Sequence, residues 1–97
     1  MNNLIVSYDL HFPSRLYSPL VQRIWLLGQA QKLHQSMWFV KSYMSATQAV
    51  DFLKTAVDFN DSLVVVNASA DEIAWVKLAP AASNALHSRW SAQQFQY

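Results

Sequence analysis

The chain has 97 residues, enough for one hydrophobic core and too few for two. Apolar residues make up 53% of it and charged residues only 13%, well below the roughly 25% of ordinary domains. The net charge is +1 with no Lys/Arg run, so the basic footprint of a nucleic-acid binder is missing, and without cysteine there are no disulfides, thiolate nucleophiles or cysteine zinc sites.

Residues 3–10, NLIVSYDL, read as a strand with Leu4, Val6, Tyr8 and Leu10 on one face. Ile5, Ser7 and Asp9 share the other. No basic stretch precedes a long apolar segment, so the start does not read as a signal peptide. HFPSRLY follows as a loop, and Ser18-Pro19 starts a helix with serine at the N-cap and proline in the first turn. Leu20, Ile24 and Leu27 form its apolar stripe, and Gly28 is the expected stop.

KLHQSMWFVKSY reads as one long strand or two short ones bent near Ser36. SATQ at 45–48 has the spacing of a capping box, predicting a helix to about Val57 that turns Ala49, Phe52, Leu53 and Ala56 inward. DFND turns the chain into SLVVV, a short strand expected at the centre of the sheet. EIAWVKL reads as a further strand, with helix as the alternative. After Pro80, ASNALHSRWSAQQFQY reads as a helix or a docked arm.

This order suits an α+β, ferredoxin-like β-α-β-β-α-β sandwich over residues 1–79, with helices on one face of a small mixed sheet. An additional C-terminal strand, then a helix or arm over 80–97, completes the same domain. The other sheet face is expected to be uncovered. Together with the sparse charge, this predicts a homodimer. No apolar stretch approaches the ~20 residues that span a bilayer, so the expectation is a cytoplasmic protein with no membrane partner.

Asp9, at a strand end, either receives N–H bonds from the following loop or reaches a divalent cation. Magnesium often takes only one or two protein carboxylates, so two Asp9 side chains across a two-fold axis can hold one ion, which would activate water against a phosphodiester. His11 is either a loop histidine or a general acid–base beside Asp9. His34 and His87 fall on strand and helix surfaces. Asp58 and Asp61 belong to the turn chemistry of DFND. Ser7 and Ser36 lie in no G-x-S-x-G setting, and a single glycine excludes a phosphate-cradling loop. Trp25, Trp38, Trp75 and Trp90 sit in apolar segments suited to the core or a subunit interface, although indoles can also stack on bases. Arg15 and Arg23 can contact phosphates; otherwise they are solvated.

The segments IVSYDL, YSPLVQRIWLLG, QSMWFVKS, DFNDSLVVV and IAW resemble small prokaryotic and phage proteins related to CRISPR-associated protein 2 and virulence-associated protein D. Within that superfamily the likeness is to the SinR-like branch, with its YDL strand end, Ser-x-Trp strand start, ND-L-V turn and strand, and late AW. It covers about residues 4–79. The resemblance implies a ferredoxin-like fold and a homodimer formed through the sheets. Some members are metal-dependent nucleases in which the aspartate ending the first strand is the proposed ligand; Asp9 matches that position, with Tyr8 beside it. Ser36 matches a recurrent serine on the second strand. Other relatives are dimeric scaffolds for a protein or DNA.

Two functions follow as expectations. One is a dimeric, Mg²⁺-dependent endonuclease on nucleic acid, with paired Asp9 as ligands, His11 as proton shuttle, and Arg15 and Arg23 on phosphates. The other is a non-catalytic dimeric interaction module, a scaffold or inhibitor, that holds a protein partner through apolar edges and the C-terminal segment, Trp90 and Phe95 included.

Overall fold

Strand β1 (Asn2–Asp9) has a neighbour on each side, and its alternation decides what each residue serves. The computed structural model describes residues 1–10, 18–58, 60–69, 71–92 and 94–96. The elements run β1, α1 (Ser18–Leu27), β2 (Gly28–His34), β3 (Met37–Ser42), α2 (Ala46–Leu53), a 3₁₀ turn at Lys54–Ala56, β4 (Ser62–Asn67), β5 (Ile73–Trp75), α3 (Pro80–Arg89) and β6 (Gln94–Gln96). Four strands form one sheet in the order β2-β3-β1-β4, antiparallel at every step rather than mixed. None of the helices among the described residues is long and apolar enough to cross a membrane.

One face of the sheet carries Leu4, Val6, Ala30, Trp38 and Val40, which pack with Leu20, Ile24 and Leu27 of α1 and with Ala49 and Leu53 of α2. The stripe expected on α1 is the one buried. Each large apolar side chain here contributes about 1.5–3 kcal/mol by leaving water. The capping box at α2 forms as read: Gln48 N–H donates to Ser45 Oγ at 3.1 Å, and Ser45 N–H donates to the Gln48 side chain at 2.9 Å. Ser45→Ala is therefore expected to cost about 1 kcal/mol, read as a lower urea midpoint at unchanged slope. The α-helix stops at Leu53, and the 3₁₀ turn carries Ala56 against the core.

Beyond the all-antiparallel sheet, the structure corrects two expectations here and specifies two others. The apolar run of β4 lies at the sheet's edge, not its centre, because β1 is the one described strand that pairs with it. The second sheet face is covered in part: α3 packs over its β2–β3 side, where Phe39 and Leu33 meet Trp75, Ala82, Leu86 and Trp90, and leaves the β4 side open. The late strand does not join the main sheet; β5 pairs in parallel with β6, Ala74 opposite Phe95. Gly28 does end α1, but not through a left-handed cap, since no glycine has positive φ. It leads straight into β2, where a Cβ would stand 2.1 Å from the Lys41 carbonyl oxygen. The buried Ser42 hydroxyl completes this junction by donating to the Leu27 carbonyl at 2.6 Å. Of the two forms left open for residues 32–43, two strands are found, turning through Gln35 and Ser36.

Candidate functional site

Asp9 is the last residue of β1, exposed, and lies opposite Ser62 of β4. It shares its sheet face with Ile5 and Ser7 by strand alternation. Tyr8 points to the opposite face, where its hydroxyl accepts a bond from Trp38 Nε1 at 3.1 Å. Neighbours in sequence, Asp9 and Tyr8 therefore serve different sides of the sheet. Ser36 is not on a strand. It occupies the β2–β3 turn with φ 64°, in the left-handed region, and its carbonyl accepts the Tyr8 N–H at 3.1 Å. That bond holds the turn beside the end of β1.

Arg23 is turned to structural use between the helices. Its guanidinium donates to the Phe52 carbonyl at 3.0 Å and to the Thr55 hydroxyl, and lies 5.7 Å from the centre of the Phe52 ring. Phosphate contact there would have to displace these bonds. His11 and Arg15 lie outside the described residues. Asp58 and Asp61 form the expected turn: Asp61 Oδ2 accepts the Asp58 N–H at 2.8 Å and Asp61 N–H donates to the Asp58 carbonyl at 3.0 Å.

Among the described residues, no three His, Cys, Asp or Glu side chains come together as a metal-ligating group. Magnesium accepts as few as one or two protein carboxylates, with water or phosphate oxygens as its other ligands, so one carboxylate from each of two copies is enough. Asp9 fits such a shared site only if two copies bring this strand end together.

The tail residues divide. Trp90 is buried, packs 5.4 Å from the Phe39 ring and donates from Nε1 to the Asp71 carbonyl at 2.9 Å. It belongs to the core under α3, not to a surface offered to a partner. The backbone of Phe95 lies in β6. His87 is exposed on α3, as expected, edge-on to Trp75 and 2.7 Å from Gln96 Oε1. Lys41 pins the start of the tail, donating to Asn3 Oδ1 at 2.8 Å and to the Ser91 hydroxyl. Trp38 and Trp75 are buried as well, whereas Trp25 is exposed and packs edge-on against Trp38.

Sequence reasoning expected an open second face but missed that β4, at the edge, is the part of it that α3 leaves open. Val64 and Val66 of β4 are 56% and 48% exposed, on the face shared by Ile5, Ser7 and Asp9. Beside them a cleft of about 380 Å³ opens between the sheet and β5, lined by Ile5, Met37, His34, Leu33, Trp75 and Leu86 among others. The available signal was the uncharged run from Ser62 to Asn67, which fits a strand open on one face as well as one buried on both. No family model, curated protein or solved structure matches the chain.

Proposed function

We propose that the chain is a homodimeric, non-catalytic interaction module on a ferredoxin-like framework, resembling the relatives of CRISPR-associated protein 2 and virulence-associated protein D. The β-α-β-β-α-β order of residues 2–67 and the sheet order β2-β3-β1-β4 support that framework. The observation that carries the interaction reading is the pair Val64 and Val66, half-exposed on a strand with no charged residue. Large apolar side chains left open beside an apolar cleft mark a contact surface.

The test is sedimentation equilibrium. Association to twice the 11.1 kDa chain mass is expected, and a monomer at every concentration tested would refute the proposal.

A second reading rests on Asp9, exposed at its strand end on the same open face. Two sheets meeting face to face could bring two copies of Asp9 to one Mg²⁺, giving a cytoplasmic endonuclease acting on nucleic acid. Mn²⁺ and Mg²⁺ titrations followed by amide shifts separate the readings. The module predicts no saturable shift at residues 7–10, with Asp9→Asn behaving as wild type. Saturable shifts lost in Asp9→Asn, together with metal-dependent cleavage, would establish the nuclease instead.

A further inference from the structure

We infer that the outer edge of β4 pairs with β4 of a second copy, antiparallel, about a two-fold axis at Val65. No described strand pairs with this edge, and among the described residues it carries none of the devices that keep an edge from pairing. Ser62–Asn67 has no lysine, proline or glycine, and its register with β1 is unbroken. The opposite edge, β2, is guarded: it holds Lys32, shifts register between Lys32 and His34, and lies against α3.

The phase of the ladder fixes which groups face outward. Ala68 N–H donates to the Asn3 carbonyl at 2.8 Å, opposite it in register. Counting in twos, Val66, Val64 and Ser62 turn their N–H and C=O groups toward β1, while Leu63, Val65 and Asn67 turn theirs away. A two-fold axis at Val65 sets Val65 against its own copy and Leu63 against Asn67 on either side. That makes three narrow pairs of two hydrogen bonds each, using every outward group of the strand. An axis at Val64 would instead call on the Asp61 N–H, which already donates to the Asp58 carbonyl.

Side chains agree with this register. On the open face Val64 meets Val66 of the second copy, twice. On the helix-covered face, a recess of about 270 Å³ lined by Ala46, Thr47, Val50, Asp51 and Val65 opens at the same edge. With Val65 at the axis, the two recesses join into one seam beneath the paired α2 helices. The occupant is a second copy because the strand is self-complementary about Val65, setting valine against valine at positions 64, 65 and 66. Asp61 of each copy also falls at opposite ends of the ladder.

The inference rests on the dimer reading and specifies its contact. It also bears on Asp9: strand rise and spacing place the two carboxylates about 25 Å apart, too far to share a cation. The chain has no cysteine, so single Val64→Cys and Val66→Cys chains each carry one thiol. Mixed and oxidised, they are expected to form a disulfide with each other, because these positions face across a wide pair; neither chain alone is expected to cross-link. Val65→Pro removes an outward N–H and should leave a folded monomer by circular dichroism. Should Val65→Pro not fold, Val64→Lys tests the same contact and is expected to raise the dimer dissociation constant about tenfold. A dimer without the mixed cross-link overturns the edge register while the dimer reading stands; a monomeric wild type overturns both.

Discussion

Trp90→Ala is expected to lower the unfolding free energy by about 3–5 kcal/mol. The ring fills the space between Phe39 of the sheet and α3, and its Nε1 holds the Asp71 carbonyl ahead of β5. Truncation removes the packing, leaves a cavity and strips that carbonyl of its donor. Domains of this kind have only 5–15 kcal/mol in total, so the variant should populate unfolded chain at physiological temperature. Urea denaturation followed by tryptophan fluorescence and far-ultraviolet circular dichroism checks it. Unchanged stability, with loss of binding to another protein, would instead place the ring in a partner contact.

Gly28→Ala should be nearly as damaging, although it adds a single carbon. A Cβ at that position would stand 2.1 Å from the Lys41 carbonyl oxygen and 3.1 Å from its carbon, and both atoms are backbone. Relief requires β2 and β3 to part where their ladder begins, at the Gly28–Ser42 pair. We expect a loss on the order of 3 kcal/mol. Faster amide exchange at Gln29 and Lys41 than at the turn end of the hairpin would locate the damage. A cap explanation makes a different forecast: asparagine, which tolerates the left-handed region, would then rescue the site. On the steric account Gly28→Asn fails as Gly28→Ala does.

These two positions show where the sequence could be read and where it could not. Capping at Ser45 and Gln48, the stripe of α1 and the Asp58–Asp61 turn are local devices, each complete within four to eight residues, and they fold as written. Gly28 could be recognised as a boundary, but its reason lies on β3, 13 residues away. The edge position of β4 was hidden because VVV has no alternation to show which face is wet. The cover on the second face was hidden differently. α3 buries Ala82, Ser83, Ala85 and Leu86, and three of these four are too small to form an apolar stripe, though their size suits close approach to the sheet. At the candidate site, sequence placed Asp9 correctly at a strand end. It could not show that Tyr8 and Arg23 were committed to Trp38 and to the Phe52–Thr55 turn, since both partnerships span about 30 residues.

The division of the core between two sheet faces has a consequence in time. The first face is complete once β4 exists, because α1, α2 and all four strands of the main sheet are then in place. The second face waits for α3 and Trp90, more than 20 residues later in chain order. At ribosomal rates of about 5–20 residues per second, that interval lasts roughly 1–5 s, long against the folding of a small domain. Throughout it Phe39, Leu33 and Ile5 face solvent on a sheet that is otherwise formed. In that interval the exposed apolar face and the unpaired edge of β4 make the nascent chain prone to associate, before its own last helix arrives.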